Sequence, residues 1–297
     1  MMANEKKMDK VKIKAFAKVN LVLDVIGRRP DGYHEVEMIL QSIDLHDELE
    51  LIPASTVSLA IKGQRLPVDD RNIIVRTVKK LLAHAGLASG VRILLRKSIP
   101  VGAGLGGGSA DAAATLVGLN RLWGLGLSQP ELERIGATLG ADIPFCLRGG
   151  TVLATGIGEK LTDLPSLPSL PVFLAKPPFN VSTAQIYKNL SLTAADHHPE
   201  VKRIATLIQQ GDYQAIPRYW GNRLEEVTLE LYPELKTVMD WLLNMGLPVR
   251  MSGSGPTLFV FGADWAPKRQ AQVAATLRRK GWWTYNGFLK ATGLEVN

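Results

Sequence analysis

The chain has 297 residues, 46% hydrophobic and 21% charged, with the apolar residues in short periodic runs, which sets aside a disordered chain and suits two domains of ordinary size. A formal net charge of +7 favours anionic partners but does not choose among nucleic acid, acidic membrane and phosphorylated metabolite. The single cysteine, Cys146, excludes an internal disulfide framework and a cysteine metal cluster, and no apolar run approaches the roughly 18 residues of a membrane span.

The opening from Met1 to Lys12 is polar with no apolar signal core, so a cytoplasmic location is expected. Val11–Ala17, Leu21–Gly27, Val36–Ile43 and Glu48–Ile52 read as four strands, because apolar residues alternate or cluster between turn signals. Asp31-Gly32 marks a turn that puts Tyr33 and His34 at a strand entrance. The spacing of Ile73, Ile74, Thr77, Leu81 and Leu82 predicts a helix over 72–84, with Asp70 as its cap and Gly86 as its stop. Val91–Leu95 reads as a buried strand. Small basic groups at Lys6/Lys7, Lys79/Lys80 and Arg278–Lys280 read as solvated faces where they fall in helices, and His197/His198 as a solvated loop.

From Gly102 to Gly108 there are five glycines in seven residues, followed by Ser109 and a run of strong helix formers. Glycine lets backbone N–H groups converge on an anion, and the unpaired amides of a helix's first turn add partial positive charge. The stretch reads as a phosphate cradle on a buried helix. It is not a Walker A loop, since no Lys-Ser or Lys-Thr follows, and its G-x-G-x-x-G match lacks the strand position and following acid of a dinucleotide site. Ser128 and Glu131 form a capping box, with Pro130 in the first turn of the next helix. That helix leads to Gly140-Ala141-Asp142, where the carboxylate is either a turn former or an acid aimed into a cleft, ahead of a strand-like stretch from Ile143.

The segment Pro100–Ala114 resembles the second signature motif of the GHMP kinases, the superfamily of galactokinase, homoserine kinase, mevalonate kinase and phosphomevalonate kinase. Ala17-Lys18-Val19-Asn20-Leu21 is similar to the first motif and Met251-Ser252-Gly253-Ser254-Gly255-Pro256-Thr257 to the third. Asp31–Glu35 and Leu139–Phe145 are similar to those members whose acceptor is a methylerythritol carrying a cytidine diphosphate. The resemblance implies an α+β fold of two domains. These are a ribosomal-protein-like ATP-binding domain over 1–165 and a ferredoxin-like substrate-binding domain over 166–297, joined at the proline-punctuated Pro165–Pro171.

It further implies ATP as co-substrate, Mg²⁺ near Ser109, and a cradle of Pro100, Gly102, Gly104, Leu105, Gly106, Gly107, Gly108 and Ser109 around the phosphates. Asn72 and Lys97 would flank the adenine. Asp142 would orient the acceptor hydroxyl and take its proton, with Lys18 beside it offsetting charge on the phosphoryl group. Asn20 would contact the methylerythritol hydroxyls, Thr183 the diphosphate, His34 the cytosine edge, and Tyr33 and Tyr187 its two faces. The segment Lys176–Thr183 departs from the commoner Pro-Gly start, and Ala110 stands where many members have a second serine.

In the second half, Leu235, Val238, Met239, Leu242 and Leu243 form a helical stripe. Leu258–Phe261 reads as a buried strand, 270–279 as a helix and Trp282–Phe288 as an aromatic strand. The expected partner is a small molecule, without nucleic acid or membrane, for a monomer or weak homodimer. Two alternatives stay open. One is a GHMP kinase with another acceptor, such as homoserine or mevalonate. The other is a noncatalytic RNA-binding protein, against which the scarcity of aromatics among the basic clusters speaks.

Overall fold

The computed structural model describes residues 9–192, 198–261 and 266–297; Lys6, Lys7 and His197 lie outside them. Two strands open the chain, β1 (Val11–Arg28) and β2 (His34–Ala54), where four were expected. Register shifts between Phe16 and Lys18, Asn20 and Val22, and Val25 and Gly27 carry the β1–β2 ladder through the polar interruptions. Those polar residues face inward: Lys18 and Asn20 are buried.

Next come β3 (Ser58–Lys62) and helix α1 (Ile73–Ala85). The α1 cap is Asn72 rather than Asp70: the Asn72 side chain accepts from the Ile74 amide at 2.9 Å, while Asp70 pairs with exposed Lys79. Gly86 ends the helix in the left-handed conformation at φ 62°, as expected. Then follow β4 (Gly90–Arg96), α2 (Gly107–Leu122), α3 (Gln129–Ala137), α4 (Ile143–Arg148), β5 (Thr151–Gly156) and β6 (Lys160–Asp163). The capping box forms at α3, with the Ser128 amide donating to Glu131 at 2.8 Å. The stretch after Asp142 is the helix α4 and not a strand. Pro144 fits its first turn, and buried Phe145 and Cys146 pack inward. Burial pushes the Cys146 thiol far above its usual range, which keeps it inert.

These strands, with a late one, form a seven-stranded sheet of order β11-β1-β2-β4-β3, with β5 and β6 alongside the first part of β2. The length of β2 explains the fork: residues 36–41 pair with β5 and residues 48–54 with β4. Helix α2 packs on β1 and β2, flanked by α1 and α4.

The second half contains β7 (Pro171–Lys176), α5 (Thr183–Asn189), α6 (Val201–Gln210), a 3-10 turn (Tyr213–Arg218), α7 (Arg223–Leu231), α8 (Pro233–Asn244), β8 (Val249–Met251), β9 (Leu258–Phe261), α9 (Pro267–Arg279) and β10 (Trp283–Phe288). Its sheet is antiparallel throughout with order β10-β7-β9-β8, the 4-1-3-2 order of a ferredoxin-like unit. The α8 stripe packs as expected at Leu235, Val238, Met239 and Leu242, but Leu243 faces solvent at 41% exposure. The final strand, β11 (Leu294–Val296), leaves this sheet and pairs with β1. His198, expected in a solvated loop, instead holds buried Asp24 of β1 at 2.9 Å.

Candidate active site

The glycine stretch folds as a loop fastened at both sides. Gly102, Gly104 and Gly106 take positive φ of 60°, 74° and 69°, where a side chain would be strained, while Ala103 and Leu105 between them are buried as anchors. The Leu105 carbonyl accepts from the Lys18 amide of β1 at 3.0 Å, and the Gly104 carbonyl accepts from Ser252 Oγ of the second half at 2.9 Å. Gly106 precedes α2, so Gly107, Gly108 and Ser109 form the helix's first turn, two residues earlier than the sequence suggested. Their amides have no intrahelical acceptor, and all three residues line one cleft. A Cβ on Gly107 would come within 3.0 Å of Lys97 Nζ and closer to Ile99, so the packing admits no side chain there.

Beside this loop, Lys18 Nζ lies 3.6 Å from Asp142 Oδ2 and donates to Asn20 Oδ1 at 2.8 Å. Lys18 is buried, whereas the Asp142 side chain keeps 30% exposure and opens on the cleft. The Asn20 amide nitrogen contacts Met38 Sδ at 3.2 Å, and its backbone N–H donates to Ser252 Oγ at 3.3 Å. The third motif therefore meets the first at this corner.

Deeper in, Lys97 Nζ donates to Asp47 at 2.5 Å and Asp111 at 2.6 Å, all three side chains nearly closed to solvent. Burial alone would lower the Lys97 pKa, but the two carboxylates outweigh it and hold the ammonium charged. Burial pushes the Asp111 pKa well up, with one ammonium shared between two acids. Asp47 also accepts from the amides of Ser98 and Ile99, at 2.6 and 2.9 Å, which fixes the approach to the glycine loop. The Asn72 amide is engaged on both sides, by its cap to Ile74 and by donation to the Pro67 carbonyl at 2.7 Å.

At the opposite end stand Tyr33, His34, Thr183 and Tyr187. The rings of His34 and Tyr187 lie 4.9 Å apart at 30°, so the ring against Tyr187 is His34. Tyr33 sits at the rim, 61% exposed, its amide donating to Asp31 at 3.1 Å. Burial first and the charge of Arg28 second push the His34 pKa below its usual range, which favours the neutral ring with one donor and one acceptor. Burial, reinforced by Asp142, raises that of Tyr187. The Thr183 hydroxyl, in the first turn of α5, shares a 2.7 Å hydrogen bond with Ser254 Oγ.

One cleft of about 1120 Å³ gathers all the residues singled out in the sequence: Lys18, Asn20, Tyr33, His34, Asn72, Lys97, the stretch from Pro100 through Ser109, Asp142, Thr183 and Tyr187. It also gathers Arg28, Arg71, Asp111 and Lys188, which sequence reasoning missed. A buried acid in an alanine-rich helix, as Asp111 is, was the one available signal. Among the described residues no group of three or more carboxylates, imidazoles or thiols could hold a metal by itself, and no helix is long and apolar enough to cross a membrane.

A two-domain fold with an amide-lined helix start facing a lysine–aspartate pair defines a small-molecule kinase of the GHMP type, and the comparisons agree. The model of the GHMP kinases N terminal domain matches residues 72–150, and that of the GHMP kinases C terminal domain residues 191–281. A 4-diphosphocytidyl-2-C-methyl-D-erythritol kinase of Geobacillus sp. (strain WCH70) is 48% identical over 83% of this chain and 86% of its own. One from Pelotomaculum thermopropionicum is 47% identical over 89% and 93%. The chain belongs to this family, the 4-diphosphocytidyl-2-C-methyl-D-erythritol kinases. A solved 4-(cytidine 5'-diphospho)-2C-methyl-D-erythritol kinase superposes with a TM-score of 0.77 at 36% identity, covering 94% of this chain and 98% of that one. A homoserine kinase from Cytophaga hutchinsonii reaches the same TM-score, 0.77, at 20% identity over 100% of both chains, which speaks for the fold alone. ATP is the co-substrate that membership in a kinase family implies.

Proposed function

We propose that the chain transfers the γ-phosphoryl group of ATP to the 2-hydroxyl of 4-diphosphocytidyl-2-C-methyl-D-erythritol, releasing ADP. The observation that carries this is the Lys18–Asp142 pair, 3.6 Å apart, in a cleft with the start of α2 on one side and the His34–Tyr187 rings on the other. The acceptor oxygen bonds to the γ-phosphorus as the bridging P–O bond breaks, and its electron pair leaves with ADP. The hydroxyl proton passes to the Asp142 carboxylate, and the Lys18 ammonium offsets charge on the moving group.

The first-turn amides of Gly107, Gly108 and Ser109 hold the phosphates, with Pro100, Gly102, Gly104, Leu105 and Gly106 shaping the cradle. Asn72 and Lys97 bound the adenine by shape and backbone, since their side-chain polar atoms are already bonded. Asn20 contacts the methylerythritol hydroxyls and Thr183 the diphosphate. The neutral His34 ring reads the cytosine edge, Tyr187 supports the base and Tyr33 closes over it from the rim. Mg²⁺ would be held on the protein side by the Ser109 hydroxyl, since among the described residues no cluster of ligands could hold it alone. It would supply charge neutralisation for the phosphates. The ATP-binding domain takes residues 1–165 together with β11, which pairs with β1, and the substrate-binding domain takes the residues from 166 up to that strand. In this reading a monomer or weak homodimer is the active unit.

Purified protein with ATP, Mg²⁺ and this acceptor should yield one ADP per turnover and a new phosphomonoester resonance by ³¹P NMR, with homoserine and mevalonate inert. No ADP release from folded, ATP-binding protein overturns the acceptor assignment. Turnover of homoserine or mevalonate in its place would favour the alternative GHMP acceptor.

A further inference from the structure

The Ser252–Gly253 turn touches the reacting corner but has no regular structure of its own. The space beside Gly253 is closed: an added Cβ would lie 3.2 Å from Asn20 Oδ1 and 3.5 Å from Lys18 Nζ. A small displacement of this turn would therefore move Lys18 and Asn20. What holds it is the first turn of α7. The Asn222 amide donates to the carbonyls of Met251 at 2.8 Å and Gly253 at 2.7 Å, bracketing Ser252 from both sides. Its oxygen caps α7 by accepting from the Leu224 amide at 2.9 Å. One turn on, Glu225 accepts from the Met251 amide at 3.0 Å and Thr228 Oγ1 donates to the Ser254 carbonyl at 3.3 Å.

The bracket is also tied to the first half. The Leu23 amide of β1 donates to the Gly221 carbonyl at 2.9 Å, and Leu23 bridges Asn222 in parallel register, three residues beyond Asn20. Asn222 is buried, its donors and acceptor all engaged within the protein, so it has nothing left for a ligand. Its geometry serves the turn.

We propose that Asn222 is a positioning residue for the phosphoryl transfer: by pinning the carbonyls of Met251 and Gly253 it fixes Ser252, and through Ser252 and Gly253 the placement of Asn20 and Lys18. This rests on the roles of Lys18 and Asn20 given above, and wild-type turnover, measured first, tests those roles separately. Two variants keep the α7 cap while removing the bracket: Asn222→Asp retains the accepting oxygen but no donor, and Asn222→Ser caps with a side chain too short for both carbonyls.

Both should fold, at a lower melting temperature, because two buried carbonyls lose their donor. Each should lose about a hundredfold in kcat, as small misplacements of reacting groups do, with the KM for ATP within about threefold. Combined with Ser252→Ala, the losses should not multiply, since both substitutions break one relay. A folded Asn222→Ser protein with wild-type kcat, or kcat losses that multiply in the double variant, overturns the proposal. So does failure of both single variants to fold, which would make Asn222 a structural residue only.

Discussion

The two ends of the cleft are built from different materials. At the glycine loop the ligand-facing groups are backbone amides, and the side chains behind them are spent: Lys97 is taken by Asp47 and Asp111, and Asn72 by its cap and Pro67. At the end proposed for the acceptor the groups on offer are side chains, with Tyr33 at 61% exposure on a turn and His34 against Tyr187. A site made of amides on a buried helix is organised before its ligand arrives. A site made of rings on a rim completes itself around its ligand, so its specificity accrues on binding. The donor end should resist change as a unit, and the acceptor end should yield one residue at a time.

The largest expected effect lies between the ends. Asp142→Asn should reduce kcat by roughly a hundred- to ten-thousandfold while leaving ATP affinity, measured by calorimetry, within about threefold. Near-normal turnover would remove Asp142 from the chemistry and leave the two ends without a common centre. Next, Lys97→Met leaves two carboxylates buried without their cation and should destabilise the fold by about 3–5 kcal/mol, read from urea unfolding. Unchanged stability would contradict a donor end braced by its ion triad. The smallest effect belongs to the rim: Tyr33→Ala should weaken the acceptor by about 1–3 kcal/mol in KM, with stability and the KM for ATP little altered. A loss shared equally by donor and acceptor would erase the distinction between the ends.

Local chemistry was readable in the sequence wherever the partner lies within one turn. The glycine loop, the Ser128–Glu131 box and the Gly86 stop are patterns a few residues long, and the structure contains each. In the second unit α8, β9, α9 and β10 were readable from their periods, whereas β7 and β8 were not predicted and the ferredoxin-like arrangement came with the family resemblance. What escaped depends on partners far along the chain. Lys18 and Asn20 look like a break in β1 because the groups that satisfy them, Asp142 and Ser252, stand more than a hundred positions away. Asp70 and Asn72 are both good caps by type, and the backbone chose Asn72. The Asp47–Lys97–Asp111 triad joins two strands and a helix, and no single segment announces it. His198 looked like a solvated loop residue because its acid, Asp24, is 174 positions away. The strand-like run after Asp142 is apolar enough for either period, and six residues are too few to decide.

Strand β11 has a consequence for how such a molecule is made. Lys14 of β1 and its ion partner Glu295 of β11 stand 281 positions apart, and between them lies the entire four-stranded sheet. In the topology of the chain, the four-stranded unit is an insertion within the seven-stranded one. A ribosome delivers β1 early and β11 late, so the outer edge of the first sheet stays unpaired while the second half is synthesised. The glycine loop is therefore carried on a sheet that closes only after the four-stranded unit exists. A chain cut short before residue 294 keeps every residue of the cleft and loses that closure.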